Sequence, residues 1–104
     1  MLLAITTFPS EHLAREIAST LVDEQLVACV NLLPGATSIY RWKDQVHADN
    51  EIVALIKTTA TALPALKRRL VELHDYECPE LIAFPITDGL PDYLQWIDSS
   101  VRTE

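Results

Sequence analysis

The sequence predicts an α+β fold of the ferredoxin-like type, built on a split β-α-β plan. Apolar, β-branched segments alternate with segments of helical periodicity in the order β-α-β-β-α-β, and a short helix follows. The length of 104 residues fits one domain, and no repeat, linker or shift in composition divides the chain. An apolar content of 49% is sufficient for a core. We therefore expect a single ferredoxin-like domain over residues 1–104.

The first half of the chain predicts a strand, a helix and a second strand. Residues 1–8 are apolar and β-branched, and Pro9 ends the first strand. Ser10 is a suitable N-cap for a helix that runs to about Gln25. Its apolar stripe has helical spacing and consists of Leu13, Ala14, Ile17, Ala18 and Leu21. Residues 27–33 form the second apolar strand.

A bend or bulge is predicted at Pro34-Gly35, because proline removes a hydrogen-bond donor and glycine relaxes the backbone. Pairing is expected to resume over residues 37–42. The period of two then places three side chains on one face, namely Ser38, Tyr40 and Trp42. Residues 43–45 are the expected hairpin tip, although they lack the glycine that a tight primed turn prefers.

The second half repeats the pattern of strand, helix and strand. Residues 51–58 form a long strand, and Thr61 is the expected cap of the second helix. The apolar stripe of that helix is Leu63, Leu66, Leu70 and Leu73. Residues 74–80 form a polar loop, residues 81–86 a fourth strand, and residues 90–101 a short last helix.

The predicted strands are apolar at consecutive positions, without the alternation of a half-exposed antiparallel sheet. The clearest runs are Leu2-Leu3-Ala4-Ile5, Val27-Ala28-Cys29-Val30, Ile52-Val53-Ala54-Leu55-Ile56 and Leu81-Ile82-Ala83-Phe84. In this plan the two main helices cover one face of the sheet. A second copy of the chain is the natural cover for the other face. The alternative is that the last helix and the hairpin fold back over it.

Charge and cysteine content exclude several classes of protein. Eight Lys and Arg against 15 Asp and Glu give a formal charge of −7, which opposes nucleic-acid binding. No apolar run approaches the ~20 residues that span a bilayer, and the N-terminus has no secretory signature. We therefore expect no nucleic acid, no membrane insertion, a cytoplasmic location and reduced thiols at Cys29 and Cys78.

Candidate chemical sites in the sequence are few. His74 and Cys78 are four residues apart, but the loop signal between them removes the helical geometry that would pair them as metal ligands. Glu51 and Lys57 point to one face of a strand as an ion pair, a subunit contact or a pocket lining. Tyr40 and Trp42 form a ligand platform or a packing contact. No phosphate loop, catalytic triad or dinucleotide fingerprint is present, so we expect no enzyme.

Several blocks, in order along the whole chain, resemble the signature blocks of the CutA family of divalent-cation tolerance proteins. They are Leu26-Val27-Ala28-Cys29-Val30-Asn31, Tyr40-Arg41-Trp42, Glu51 followed by Lys57-Thr58, His74-Asp75-Tyr76-Glu77-Cys78-Pro79-Glu80, and Tyr93-Leu94-Gln95-Trp96-Ile97. The resemblance implies a PII-like homotrimer whose strands pair across subunit boundaries. It also implies a role in tolerance of copper and other divalent ions, with no catalytic activity and no required cofactor.

The resemblance also implies candidate site residues. Copper binding in some members is attributed to positions that here read Thr6, Leu73 and His74, so His74 alone is a candidate ligand for copper or zinc. A cleft between subunits is expected to be surrounded by Cys29, Tyr40, Trp42, Glu51, Lys57, His74 and Tyr76.

Two functions remain as hypotheses at this point. The first is a non-enzymatic trimer that binds divalent cations weakly or acts as a signalling or anchoring module. The second is a PII-like sensor of a small molecule in the cleft between subunits. An acylphosphatase-like enzyme is disfavoured, because the chain has only two glycines with which to build an anion cradle.

Overall fold

The computed structural model describes residues 1–103 and confirms the α+β, ferredoxin-like plan. Four antiparallel strands form one sheet in the order β2-β3-β1-β4. The elements are β1 (Leu2–Phe8), α1 (Glu11–Asp23), β2 (Cys29–Trp42), β3 (Gln45–Thr58), α2 (Leu63–Leu73), β4 (Ile82–Pro85) and α3 (Pro91–Ser100). Each β-α-β unit is split, because the strand between its two parallel members comes from the other unit.

Helices α1 and α2 pack on one face of the sheet and enclose the main core. Ser10 caps α1 as predicted, since its hydroxyl accepts the backbone N–H of Leu13 at 3.2 Å. Helix α2 has Ala62 as its N-cap without a side-chain bond, so the prediction of Thr61 as the cap is wrong. The hydroxyl of Thr59 instead accepts the N–H of Ala62 at 3.2 Å. The largest side chains of this core are Phe8, Ile17, Leu21, Leu26, Ile56, Leu66 and Leu70.

The bend predicted at Pro34-Gly35 is a β-bulge inside one long strand. Leu33 pairs with Val53 and Ala36 pairs with Glu51, so two residues of β2 oppose one residue of β3. Gly35 has φ of +86°, which an L side chain adopts only with strain. Before the bulge, the odd-numbered residues of β2, such as Leu33, lie on one face of the sheet. After the bulge, the even-numbered residues, beginning with Ala36, lie on that same face.

Beyond the bulge, β2 and β3 form a two-stranded ribbon without a third strand beside it. Strand β1 pairs with β3 only from Ile52 to Thr58. The ribbon begins at Ala36 and extends the molecule to 44 Å in its longest dimension. Strand β3 thus begins at Gln45 rather than at Glu51, because residues 45–50 pair with β2 although four of the six are polar. A ribbon of two strands has little stability of its own and gains it by packing against other structure.

The hairpin tip is a two-residue turn, Lys43-Asp44, flanked by the pair Trp42 and Gln45. Both turn residues have positive φ, +52° and +65°, as in a primed turn that matches the strand twist. Gln45 lies in β3 and not in the tip. The chain therefore adopts the primed turn without the glycine that usually supports it.

We expect Asp44→Gly to raise the free energy of unfolding by about 0.5 to 1 kcal/mol, because it relieves a left-handed conformation. Denaturant unfolding of the variant and wild type at equal protein concentration measures the change. Asn50→Gly, on an exposed extended position of the same ribbon, is the matched control and should lower stability by a similar amount. A lower stability for Asp44→Gly would contradict the strained-turn interpretation.

The second face of the sheet, which we call the open face, carries no helix across its centre. Its rows across the strands are Cys29-Lys57-Leu3-Phe84, Asn31-Leu55-Ile5-Ile82 and Leu33-Val53-Thr7. Ile82 is 55% exposed, Leu33 45% and Phe84 44%, while Leu55 and Ile5 at the centre are only half-buried. One chain therefore leaves a contiguous apolar surface in water, as the unalternating strands predict.

Helix α3 does not cover this surface. Its buried residue Ile97 and the C-cap residue Val101 instead pack with Ala28 and Ala62 in a small second core. Because Leu33, Ile82 and Phe84 of the open face remain exposed, the alternative in which the last helix and the hairpin fold back over it is wrong for residues 1–103. The helix adds exposed apolar surface of its own, through Leu90, Tyr93 and Trp96.

Candidate functional site

The loop of residues 74–80 precedes β4 and continues its edge of the sheet beyond Ile82, the first residue of that strand. Strand β4 pairs with β1 from Leu2 to Ile5 only. Farther along β1, the hydroxyl of Thr6 donates to the backbone carbonyl of Glu80 at 2.6 Å. His74 Nε2 lies 2.7 Å from the carbonyl oxygen of Thr7. The loop therefore satisfies polar groups of β1 that no strand reaches.

His74 holds this loop through both of its ring nitrogens. Nε2 donates to the Thr7 carbonyl, while Nδ1 accepts the backbone N–H of Tyr76 at 3.1 Å. The imidazole side chain has no exposed surface, and its ring stacks on Phe8 with 5.1 Å between centroids. These bonds require the neutral ring with the proton on Nε2. Asp75 Oδ1, 3.6 Å from Nδ1, is therefore not a partner in an ion pair.

This arrangement does not fit a copper or zinc ion at His74. A metal ligand needs a free nitrogen lone pair, and the one on Nδ1 is already used by the N–H of Tyr76. Thr6 is fully buried with its hydroxyl bonded to Glu80, and Leu73 has no ligand atom. Within residues 1–103, no three His, Cys, Asp or Glu side chains are grouped closely enough to hold a metal ion.

An open cleft of about 570 Å³ lies between the loop and the ribbon. Ten residues line it, from β1, β2, β3 and the loop. They are Thr7, Ser38, Ile39, Tyr40, Trp42, Glu51, Tyr76, Glu77, Cys78 and Glu80. The cleft opens on the same side as the open face, since Tyr40, Trp42 and Glu51 share that face after the bulge.

Glu51 is the buried acidic group of the cleft, with 8% of its surface exposed. The hydroxyl of Tyr76 donates to its Oε2 at 2.6 Å. Burial first, and then this hydrogen bond, raise the pKa of Tyr76 well above its usual range, so the phenol remains protonated. Partial desolvation, followed by the charge of Glu51, raises the pKa of Glu80. The charge of Glu51 thus acts on Glu80 within the same cleft.

The ribbon supplies the aromatic wall of the cleft. Tyr40 donates its hydroxyl to Asp49, and this hydrogen bond raises the pKa of Tyr40. Lys43 Nζ lies over the ring of Trp42, 5.9 Å from the ring centroid. The same ammonium group makes a 3.7 Å ion pair with Glu77 of the loop. The ion pair joins the tip of the ribbon to the loop at the rim of the cleft.

The structure brings together four of the predicted cleft residues and places a fifth against them. Tyr40, Trp42, Glu51 and Tyr76 line the cleft, and His74 stacks on Tyr76 with 4.6 Å between ring centroids. The other two predicted cleft residues, Cys29 and Lys57, do not line the cleft of their own chain. They lie on the open face near Asn31. Glu51 and Lys57 share a face as predicted but are six residues apart, about 20 Å along an extended strand.

The predicted cleft set lacks six of the lining residues, namely Thr7, Ser38, Ile39, Glu77, Cys78 and Glu80. Thr7 lies in an apolar strand, and nothing in its neighbourhood marks it as polar lining. The two glutamates belong to a loop whose position depends on the contact between His74 and β1, which joins residues 67 positions apart. Sequence periodicity carries no signal for such a contact.

Both cysteines are free thiols, with Cys78 exposed at the cleft and Cys29 half-buried on the open face. No helix within residues 1–103 combines the length and apolar character needed to cross a membrane.

Comparison with known proteins gives a match over nearly the whole chain. Residues 2–100 match the family described as CutA1 divalent ion tolerance protein. The divalent-cation tolerance protein CutA of Thermus thermophilus is 52% identical over 93 residues, which cover 89% of this chain and 90% of the relative. The human protein CutA is 45% identical over 94 residues, and the match spans 90% of this chain but only 52% of the human protein.

The fold comparison agrees with the sequence match. The solved structure of the PII-like protein CutA from Nostoc superposes with a TM-score of 0.92 at 36% identity, covering all of both chains. The fold described above is therefore shared by a protein that is described both as PII-like and as CutA.

Proposed function

The chain belongs to the CutA1 family of divalent ion tolerance proteins, and we propose that it acts in divalent-ion tolerance as a cytoplasmic, non-catalytic homotrimer. The observation that carries the proposal is the family match over residues 2–100. The number of subunits comes from the family resemblance, while the need for partners comes from the open face.

The apolar open face supports the assembly. Leu3, Ile5, Val53 and Leu55 are half-buried in one chain, with more exposed apolar residues at the sheet edges. Burial of apolar surface stabilises by about 25 cal/mol per Å², and a contiguous exposed apolar patch is typical of an interaction site. The ribbon has the same need for a partner, since Ile39 and Val46 are largely exposed on it.

In this proposal any direct binding of divalent cations is weak and does not use His74. The ring nitrogens of His74 are both bonded to backbone groups, and the surplus of carboxylates gives the surface a diffuse attraction for cations. Calorimetric titration with Cu²⁺ and Zn²⁺ tests this. Wild type, His74→Asn and the exposed control His12→Ala should give similar, weak heats. A stoichiometric Cu²⁺ site lost only in His74→Asn would contradict it.

The tolerance role itself is tested by complementation. A bacterial strain without its own CutA, grown on graded copper(II), should recover growth with the wild-type chain. Equal growth with the wild-type chain and with an empty plasmid would contradict the role.

A second candidate function is a PII-like sensor with a small molecule in the cleft. The observation that favours it is the cleft itself, which has aromatic and acidic walls and a buried glutamate. In the trimer, a neighbouring subunit would close the open side of the cleft. A thermal-shift screen tests it, since a ligand at 100 times its Kd stabilises by about 2.7 kcal/mol. No shift with any metabolite would contradict it.

A further inference from the structure

We propose that the cleft binds a small organic cation, such as an alkylamine or a guanidinium compound, and excludes nucleotides and other phosphates. This inference rests on the second candidate function and specifies the class of its ligand. It follows from the charges, the aromatic walls and the buried carboxylate of the cleft.

The charges that line the cleft are all of one sign. Three of the ten lining residues are glutamates, Glu51, Glu77 and Glu80, and none is Lys, Arg or His. Lys43 at the rim is already in an ion pair with Glu77. A phosphate group requires cationic side chains or clustered backbone N–H donors, and the lining contains no glycine to form such a cluster. The lining that the chain itself supplies therefore repels anions and attracts cations.

Glu51 provides a fixed negative group without a counter-ion. It is more than nine-tenths buried, and its one hydrogen bond in the structure comes from the neutral hydroxyl of Tyr76. Among residues 1–103, no basic side chain forms an ion pair with it. Burying a carboxylate without a counter-charge is unfavourable. A ligand ammonium or guanidinium group beside Glu51 would supply that charge and form charge-assisted hydrogen bonds.

The walls favour an organic cation over a metal ion. Tyr40, Trp42 and Tyr76 present aromatic rings to the cleft, and cations bind over such rings, most strongly over tryptophan. Lys43 already lies over the Trp42 ring at the rim, so this ring accepts an ammonium group in the folded chain. The carboxylates and the Cys78 thiol are not grouped as metal ligands.

Calorimetry on the full-length protein tests the proposal with named probes. Putrescine, agmatine and choline serve as cations, and AMP and citrate as anions of similar size. We expect saturable binding of at least one cation and none of either anion. Glu51→Gln, which keeps an acceptor for Tyr76, should weaken that binding about ten- to hundredfold. Trp42→Leu should weaken it about two- to thirtyfold.

The control is Glu16→Gln, which removes the same charge from the exposed surface of α1 and should leave the affinity unchanged. Binding of AMP or citrate, no binding of any cation, or equal binding by wild type and Glu51→Gln would overturn the proposal. Displacement of the amine by stoichiometric Zn²⁺ would instead assign a metal site.

The native mass of each sample separates this inference from the proposed assembly. A trimer that binds no cation shows that the ligand class is wrong while the assembly stands. A monomer that binds the amine in a manner dependent on Glu51 shows the reverse. Glu80→Gln provides a second acidic variant if Glu51→Gln fails to fold, and it should also weaken amine binding.

Discussion

Replacing Leu55 by aspartate is expected to convert the proposed trimer to monomers or to aggregates of unfolded chains. Leu55 lies at the centre of the open face, between Asn31 and Ile5 in one row of the sheet. An unpaired carboxylate enclosed in an apolar contact costs several kcal/mol, and in a symmetric trimer the cost occurs in every subunit. Sedimentation velocity at micromolar concentration measures the loss directly.

Val71→Asp is the matched control for this substitution. Val71 is 63% exposed on α2, on the layer opposite the open face, so a charge there remains in water. This variant should sediment as wild type. If Leu55→Asp also retains the full native mass and the wild-type midpoint of unfolding, the open face is not a contact between subunits.

His74→Ala is expected to lower the free energy of unfolding by about 3 to 5 kcal/mol. The substitution removes the partners of the Thr7 carbonyl and the Tyr76 N–H, and it leaves a cavity beside Phe8. It also frees the loop that carries one wall of the cleft. Chemical unfolding at fixed protein concentration, together with hydrogen exchange over residues 74–80, measures both effects.

His12→Ala serves as the control for loss of a histidine, because the side chain of His12 is almost fully exposed on α1. It should unfold with the midpoint of wild type. An unchanged midpoint and unchanged exchange in His74→Ala would contradict the structural role of this imidazole. Chelators should not alter the stability of wild type, since no metal ion supports the loop in this account.

Local patterns in the chain predict most of the fold. Consecutive apolar residues predict both the strands and their uncovered face, and the apolar stripes of α1 and α2 predict the helical layer. The bulge is also predicted, because Pro34 and Gly35 interrupt pairing. The sequence does not predict which later residues of β2 share a face with the earlier ones, because one inserted residue shifts every later side chain to the other face. Only the strand register of the structure shows that Tyr40 and Trp42 share a face of the sheet with Glu51.

The candidate site is less predictable because its walls come from distant parts of the chain. Tyr76 reaches Glu51 across 25 positions, and the loop contact that places Tyr76 depends on His74. The family resemblance marks His74 as a candidate ligand, because it occupies one of the positions to which copper binding is attributed in some members. Its actual partners are backbone groups, which leave no signature in the pattern of side chains.

The most direct test of the account is the native mass of the wild-type protein at micromolar concentration. Three copies of the 11.7 kDa chain are expected, held through the open face, with strong protection of β1 and β3 amides from hydrogen exchange. A stable species of 11.7 kDa that remains folded and does not bind hydrophobic dyes would contradict the account, because its sheet would then tolerate water on the side where we place the partner subunits.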